Sequence, residues 1–305
     1  RRSGGRMPAF RTDAEEARMI RSFLFVPADS DRKIGKALDA GADAVIIDLE
    51  DAVAAEARPQ ARQIAAERIG GRDDVWVRIN PLDTEDADLD LEAVLPAAPA
   101  GIVLPKPESA ADAIDLAARL DELEAANDIP AGRTGIVCVC TERPEALFSL
   151  GGYAGATERL RGLSWGAEDL SAAVGASATR GDDGQWLAPY ALARSLCLFA
   201  ASAAGVAAID TVFTDFRDLE GLSRYAEAAR RDGFTGMLAI HPAQVDVINQ
   251  AFVPTEAELA RARRIIELFA ANPGAGTLGM DGEMLDRPHL LRAERLVALA
   301  NRINQ

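Results

Sequence analysis

The chain has 305 residues, of which 49% are hydrophobic and 27% are charged, and its formal net charge is -15 at pH 7. This composition is typical of a globular protein with a sizeable core and excludes a disordered or fibrous chain. The excess of acidic residues argues against nucleic acid or an anionic membrane surface as a partner. No segment approaches the roughly 20 consecutive apolar residues of a membrane-spanning helix.

The amino-terminal segment, residues 1–20, is rich in arginine but lacks the apolar stretch of a signal peptide, so we predict a loose tail there. The three cysteines, Cys138, Cys140 and Cys197, form neither a CxxC pair nor a disulfide framework. This usage suits a reducing compartment, and the cytoplasm is the expected location.

Short apolar runs recur along the chain and alternate with segments of helical periodicity, such as the amphipathic stretch that begins at Ser109. Runs that are apolar on both faces and alternate with helices predict a parallel sheet covered on each side. Eight such units over about 220 residues fit a (β/α)8 TIM barrel, with a doubly wound open sheet as the alternative. The predicted strands are FLFV (23–26), AVIID (44–48), VWVRI (75–79), GIVLP (101–105), GIVCVC (135–140), GLSW (162–165), VAAIDTV (206–212) and GMLAIHP (236–242).

We therefore predict an α/β fold with three regions. The loose tail covers residues 1–20, and the (β/α)8 barrel that carries the active site covers residues 21–250. Residues 251–305 change character and are predicted to be a C-terminal helical extension, with a final helix from about Arg287. An amphipathic helix beyond the eight barrel units must bury its apolar face, so we expect this extension to contribute to a subunit interface.

Polar side chains follow most of the predicted strands. In a barrel, the carboxyl ends of the strands converge on one mouth, where the active site lies. These side chains would then lie together, although charges at strand ends can also be merely solvated. They are Asp48, Glu50, Asp51, Arg78, Asn80, Lys106, Glu142, Glu168, Asp169, Asp210 and His241.

The second predicted strand, within DAVIIDLEDAV (43–53), ends in three acidic residues, Asp48, Glu50 and Asp51. Like charges at a buried strand end are unfavourable unless cations or hydrogen bonds offset them. The candidate cations are Arg21, Arg78, Lys106 and a bound metal ion. The alternative for Asp48 or Asp51 is a role as the N-cap of a following helix.

Two formal motif matches do not fit their structural context. GAGTLG (274–279) has the spacing of a dinucleotide-binding loop, but no predicted strand precedes it, so we interpret it as a flexible loop. GLSWG (162–166) has the spacing of a nucleophile elbow, but Ser164 lies inside an apolar run. In the fifth strand, Cys138 and Cys140 share parity with Glu142, which predicts that both cysteines line the barrel interior as small core residues.

The remaining candidates indicate oxygen chemistry. Carboxylates on neighbouring strands, such as Glu142 and Asp169, are hard ligands that suit Mg2+, which keeps waters that a substrate can replace. A metal ion in such a site can orient a carboxylate, carbonyl or hydroxyl group and stabilise a developing oxyanion. Arg78 adds a planar bidentate donor for an anion.

Taken together, eight segments of the chain resemble the citrate lyase beta-subunit-like family of the HpcH/HpaI aldolase group, which includes malyl-CoA and citramalyl-CoA lyases and related thioesterases. The resemblance runs from about Arg21 to the C-terminus. Arg143 departs from the family pattern, because TER stands where family members commonly have IET, and FVPADS replaces the more usual FVPG. The segments are RSFLFVP, ADAVIIDLEDAV, VRIN, LPKPES, CTERPEALF, WGAEDLSAAVG, IDTVFTDFRDLEGL and GFTGMLAIHPAQVDVINQAFVPT.

This resemblance implies a (β/α)8 barrel, Mg2+ as the cofactor, a coenzyme A or acyl-carrier thioester as the substrate, and a homotrimer or homohexamer. It implies that Glu142 and Asp169 hold the metal ion and that Arg78 is catalytic. It also implies that Asp286, in GEMLDRPH, is an acid/base supplied by a neighbouring subunit. The TER departure places Arg143 beside the site, where it could affect substrate choice or point outward.

The first interpretation is a Mg2+-dependent carbon–carbon lyase that acts on a 3-hydroxyacyl-CoA thioester such as malyl-CoA or citramalyl-CoA. Arg78 would stabilise the enolate and Asp286 would protonate it. Glu50 and Asp51 would hold metal-bound waters and orient Arg78. Glu142, Arg21 and Lys106 would also contact the substrate. The alternatives are a thioesterase that uses the same site and a citrate lyase beta subunit that acts on a carrier-protein thioester.

Overall fold

The computed structural model describes residues 19–303. Within this range, eight strands are all parallel and follow chain order around the sheet, and the first strand pairs with both the second and the eighth. The sheet is therefore closed, which confirms the predicted (β/α)8 barrel over the open sheet. The strands are β1 (Ser22–Pro27), β2 (Ala44–Asp48), β3 (Val75–Arg78), β4 (Gly101–Leu104), β5 (Gly135–Val139), β6 (Leu160–Ser164), β7 (Ala207–Asp210) and β8 (Gly236–Ala239).

Helices follow the strands with one exception. After β5 the chain forms two 3-10 turns, Pro144–Phe148 and Leu150–Tyr153, instead of an α-helix. A proline at the start and the Gly151–Gly152 pair explain this difference, because both residue types disfavour a continuous helix. The helices are α1 (Asp31–Leu38), α2 (Arg58–Ile69), α3 (Glu85–Val94), α4 (Ala110–Ala126), α5 (Ala167–Ala173), α6 (Ala188–Ala204), α7 (Leu219–Asp232) and α8 (Val245–Ala251). None of the helices in residues 19–303 could cross a membrane.

The barrel interior is filled by apolar side chains around Trp76 of β3, which meets Phe23 of β1 edge-on at 6.0 Å between ring centroids. Neighbouring strands leave space for the indole through Gly101 and Gly135. A Cβ atom at Gly101 would lie 2.2 Å from the Trp76 ring, so only glycine fits there. The interior is therefore a packed core, and the polar residues lie at the ends of the strands.

Cys138 of β5 and Cys140, which directly follows this strand, do not belong to this core cluster. Val137 and Val139 belong to the interior cluster, whereas the Sγ atom of Cys140 lies 3.9 Å from that of Cys197 on α6. The prediction that Cys138 and Cys140 line the interior is therefore wrong, although both are buried. The reason is that β5 ends at Val139, so the alternation of side chains does not continue to Glu142.

The sixth strand begins two residues earlier than predicted, at Leu160, and it contains Ser164. The Ser164 side chain is fully buried within the strand. A nucleophile elbow instead places its serine on an exposed turn between a strand and a helix. The structure therefore agrees with the rejection of GLSWG as a hydrolase motif.

Residues from Gln250 onward belong to a second compact unit. Most of the predicted tail, residues 1–20, lies outside the described residues. This unit contains α9 (Glu256–Ala271), the antiparallel strands β9 (Thr277–Met280) and β10 (Glu283–Asp286), and α10 (Arg287–Ile303). The turn between the strands, Asp281–Gly282, has φ values of 53° and 83°, which suit the Asp-Gly turn of a tight hairpin. GAGTLG, predicted to be a flexible loop, thus runs into a strand.

The final helix buries part of its apolar face within its own unit. Ala293 of α10 packs with Ala262 and Ile265 of α9 and with Leu285 of β10. A neighbouring subunit is therefore not required to cover this part of the apolar face, in contrast to what the sequence indicated. The predicted role of the extension in a subunit interface stays a prediction.

Glu124 of α4 connects the turn before β5 to the residue that precedes β6 through hydrogen bonds. Its carboxylate accepts hydrogen bonds from the backbone amides of Gly132 and Thr134, each at 2.7 Å, and from Nη1 of Arg159 at 2.9 Å. Burial alone would raise the pKa of Glu124. The bonds from Arg159 and the two amides outweigh burial and lower the pKa from 4.5 to about 2.

We expect Glu124→Gln to lose on the order of 2 kcal/mol of stability at pH 7, because hydrogen bonds to charged groups each contribute about that much. A lowered pKa contributes stability above the unfolded value of 4.5 that is lost as the pH falls towards 2. Urea unfolding of the wild type and the variant should thus converge between pH 4.5 and 2. The control is Asp73→Asn, which removes an exposed ion pair to Arg133 and should change stability little. A constant difference at all pH values would contradict this prediction.

Candidate functional site

Arg78 ends β3 beside Asp48, the last residue of β2, because the two residues are paired in the sheet register. Its Nε and Nη2 atoms donate to the two Asp48 carboxylate oxygens at 2.8 and 2.6 Å. Its Nη1 atom lies 2.9 Å from Oε2 of Glu50. The guanidinium also lies 4.8 Å from the centroid of the Phe25 ring. Two of the three acidic residues at the end of β2, Asp48 and Glu50, are therefore explained by their contacts with Arg78.

Lys106 follows β4 and is the second cation of the mouth. Its ammonium lies 2.6 Å from Oε1 of Glu50, 3.0 Å from Oδ2 of Asp51 and 3.3 Å from Oδ1 of Asp169. These carboxylates raise the pKa of Lys106 more than burial lowers it. Asp48 and Asp51 have no helix-capping role, because Ala54 and Ala57 precede the next helical segments.

Glu142 follows β5 and is buried, with 4% of its surface exposed. Its Oε2 accepts a hydrogen bond from the backbone amide of Lys106 at 2.7 Å. Gly166 makes room for it, since a Cβ atom there would lie 2.7 Å from Cγ of Glu142. Burial first, and then the negative charges of Glu50 and Asp169, raise the pKa of Glu142 to about 8, although Arg78 and the Lys106 amide favour the charged form.

Asp169 lies in the first turn of α5, directly after β6, and its side chain is 36% exposed. Its charge acts on Glu142, so the two carboxylates belong to one site. The carboxylates of the mouth outnumber its two cations, Arg78 and Lys106, so a divalent cation would neutralise part of the excess negative charge. Within residues 19–303 no group of three or more His, Cys, Asp or Glu forms a metal cluster. Two carboxylates fit Mg2+, which keeps several of its waters.

Arg21 lies at the opposite end of the barrel. It precedes β1, and its Nε and Nη2 atoms donate to the Asp43 carboxylate, just before β2, at 2.7 and 2.9 Å. The amino ends of parallel strands lie at the end of the barrel opposite the mouth. We therefore correct the prediction that Arg21 contacts the substrate or the acidic cluster.

Arg143 and Asp286, two other predicted residues, pair with residues that are not members of the acidic cluster. Arg143 pairs with Asp83 at 2.8 Å and Glu108 at 2.7 Å, both largely exposed, so the outward alternative for Arg143 describes the structure. Asp286 ends β10 in the second unit, where its Oδ1 lies 2.5 Å from Nδ1 of His289. The His289 side chain lowers the pKa of Asp286.

The sequence predicts that Asp210, at the end of β7, is one of the mouth residues. Its carboxylate, however, accepts hydrogen bonds from three other side chains. Trp165 Nε1 donates to it at 2.7 Å, Arg194 Nη2 at 2.8 Å and the Tyr225 hydroxyl at 3.2 Å. Sequence reasoning missed this network because the donors come from three separate parts of the chain: the residue after β6, α6 and α7. It also missed Phe25, which lies beside Arg78, and Gly166, which lies beside Glu142. The only sequence signal for Phe25 and Gly166 was their position near strand ends.

The closed barrel and its mouth define a class of protein, a TIM-barrel enzyme with a cluster of carboxylates at the carboxyl ends of its strands. Residues 21–242 match the family model of the HpcH/HpaI aldolase/citrate lyases. The chain belongs to this family, as the sequence resemblance predicted, and the family supports assignment as a lyase.

Curated relatives and solved structures agree with this assignment. The chain is 35% identical to the citrate lyase subunit beta of Leuconostoc mesenteroides subsp. cremoris, across 93% of this chain and 94% of the relative. It is 35% identical to a (3S)-malyl-CoA thioesterase of Cereibacter sphaeroides, across 95% and 98% of the two chains. A crystal structure of CitE from Mycobacterium tuberculosis with magnesium, acetoacetate and coenzyme A has a TM-score of 0.80 at 35% identity and covers 93% of this chain and 98% of that one.

Proposed function

We propose that this protein is a Mg2+-dependent carbon–carbon lyase that cleaves a 3-hydroxyacyl-CoA thioester such as malyl-CoA or citramalyl-CoA. One observation carries the proposal. The buried carboxyl of Glu142 accepts a hydrogen bond from the backbone amide of Lys106 at 2.7 Å, and the Lys106 ammonium lies 3.3 Å from Asp169 in the same barrel mouth. The relatives named as citrate lyase beta subunits support a lyase, and the CitE complex with magnesium and coenzyme A supports this cofactor and substrate class.

Glu142 and Asp169 would hold the metal ion, and Glu50 and Asp51 would accept hydrogen bonds from its waters. When bound, Mg2+ supplies a Lewis acid that orients substrate oxygens and stabilises negative charge on them. Glu50 has a second function that does not depend on the metal, because its contact at 2.9 Å restrains the Arg78 guanidinium. Burial raises the pKa of Glu50, and Arg78 and Lys106 oppose that rise.

Arg78 keeps donor capacity for the substrate. Three of its nitrogens contact Asp48 and Glu50, but a guanidinium carries five N–H groups, so two are free of these contacts. In the cleavage, a carboxylate of the mouth would accept the proton of the substrate hydroxyl, and the hydroxyl oxygen would become the carbonyl oxygen of a 2-oxo acid. The carbon–carbon bond breaks, and its electron pair forms the enolate of the thioester. Arg78 would stabilise the enolate oxygen, and Asp286 would return a proton to the carbon.

A thioesterase is the second candidate, and the (3S)-malyl-CoA thioesterase relative favours it. A carrier-protein thioester is the third candidate, because other relatives are citrate lyase subunits. The purified chain should be incubated alone with malyl-CoA or citramalyl-CoA, and the products should be identified by mass spectrometry. Acetyl-CoA together with a 2-oxo acid supports the lyase. Free CoA together with the intact hydroxy acid supports the thioesterase, and no reaction with either thioester favours the carrier-bound substrate.

We also propose that the protein is a homotrimer or homohexamer in the cytoplasm. The outer face of α6 supports self-association, because Leu192 and Phe199 are 58% and 65% exposed and the one charged residue of α6, Arg194, pairs instead with Asp210. A second copy of this acidic chain can approach such an uncharged face without charge repulsion. The free, buried cysteines suit a reducing compartment.

We expect the double substitution Leu192→Glu and Phe199→Glu to dissociate the oligomer, because two carboxylates would have to be buried in the interface. Light scattering after size-exclusion chromatography measures the mass directly. The control is Ile114→Glu on α4, which replaces a residue that is 50% exposed on a charged helix. An oligomer that survives the double substitution would exclude this face as the interface.

Asp286 should act across a subunit interface. Mixing inactive Glu142→Ala with inactive Asp286→Ala, under conditions that allow subunit exchange, should restore part of the activity. Some sites would then combine intact metal ligands with Asp286 of a neighbour. Mixed oligomers without any recovery would place Asp286 in the same subunit as its site or outside catalysis.

A further inference from the structure

Lys106 contacts four acidic residues from three loops of the barrel mouth. Its backbone amide donates to Glu142, after β5, at 2.7 Å. Its ammonium contacts Glu50 and Asp51, after β2, and Asp169, after β6. One residue after β4 therefore touches both proposed metal ligands, through two different groups.

The backbone of Lys106 is in the left-handed region, with a φ of 49°. This conformation is unfavourable for a residue with a side chain and persists only where its surroundings determine it. Two sets of contacts determine it here: the hydrogen bond from the Lys106 backbone amide to Glu142, and the three carboxylates around the ammonium. The conformation aims the amide at Glu142, and a glycine could adopt it without strain.

The ammonium of Lys106 and a divalent cation would neutralise the same carboxylate, because Nζ lies 3.3 Å from Oδ1 of Asp169. The two cations also repel each other. Glu50 and Asp51 hold the ammonium at shorter distances, 2.6 and 3.0 Å. Lys106 can therefore release Asp169 to a metal ion and stay in the mouth.

We propose that Lys106 is a positioning residue with two separable effects on metal binding: its ammonium competes with Mg2+ for Asp169, and its backbone amide orients Glu142 towards the metal. The competition lowers metal affinity, and the amide raises it. This inference rests on the Mg2+ site of the proposed function and assigns to Lys106 a role towards the metal in addition to contact with substrate.

The first test is Lys106→Gly, which removes the ammonium and keeps the left-handed backbone and its amide. Mg2+ affinity, measured by calorimetry on the full chain without substrate, should increase about tenfold, as expected when one unit charge about 4 Å away is removed. Lys106→Arg should bind Mg2+ within about threefold of the wild type, because it keeps the cation. The control is Lys36→Met in the last turn of α1, which changes net charge equally and should leave the affinity unchanged.

The second test is Lys106→Met, which removes the ammonium but keeps a side chain that disfavours a positive φ. Its affinity should fall below that of Lys106→Gly, because the amide is no longer held towards Glu142. Equal affinities of these two variants would overturn the backbone effect. Unchanged or weaker binding by Lys106→Gly, with a native thermal midpoint, would overturn the competition. A wild type that binds no Mg2+ would instead overturn the proposed function.

Discussion

Replacing Glu142 with Gln should abolish lyase turnover and weaken Mg2+ binding by more than about a hundredfold. The magnitude follows because substitution of groups that merely orient metal ligands already costs about 10- to 100-fold, and Glu142 is a proposed ligand. Asp169→Asn should have the same effect, because Asp169 is the other proposed ligand and the carboxylates of Asp48 and Glu50 are already paired with Arg78 and Lys106. Calorimetry with Mg2+ and a coupled assay for acetyl-CoA release measure the two effects separately.

The fold should survive the Glu142→Gln substitution. Because burial and neighbouring charges raise the pKa of Glu142 to about 8, its charged form is unfavourable in the folded state at neutral pH. Gln resembles the neutral form of Glu142, so the substitution should leave the thermal midpoint of the metal-free protein unchanged or higher. Glu168→Gln is the matched control for Asp169, because Glu168 precedes it on α5 and is exposed. Full turnover after exhaustive chelation would reject the metal site.

Arg78→Lys should lower kcat on the order of a hundredfold or more. A lysine offers a point charge, whereas the guanidinium makes a bidentate pair with Asp48 and still presents N–H groups to the substrate. The lysine could not make the bidentate pair with Asp48 and contact Glu50 at the same time, so the buried Asp48 carboxylate would lose at least one of its two hydrogen bonds. Steady-state kinetics should show the loss in kcat rather than only in KM, since the interaction strengthens as the enolate forms.

The chain contains a matched control for this substitution. Arg72 makes a bidentate pair with Asp74 at 2.9 and 2.8 Å, but this pair is exposed and precedes β3, whereas Arg78 ends it. Arg72→Lys should leave kcat within about twofold of the wild type, since exposed ion pairs contribute little. Near-normal rates for Arg78→Lys would show that Arg78 only stabilises the structure.

The barrel and the loops that carry the site could be predicted from the amino-acid sequence. A strand that is buried on both faces appears in the sequence as a continuous apolar run, so it is easy to recognise. The run AVIID (44–48), for example, coincides with the observed strand β2. Because parallel strands of a barrel point in one direction, residues after different strands could be predicted to meet at one mouth. Glu50, Arg78, Lys106, Glu142 and Asp169 do meet there.

The tertiary structure alone decided which charge partners each of these residues has. The sequence predicted both Arg21 and Arg78 as possible partners of the acidic cluster. Arg21, however, precedes its strand and pairs with Asp43 at the other end of the barrel. Side-chain parity failed at Glu142 because it holds only while the chain stays in the strand, and β5 ends at Val139. The contacts of Lys106 with three other loops were also hidden in the sequence. Such contacts depend on how loops far apart in the chain converge, and no local pattern encodes that convergence.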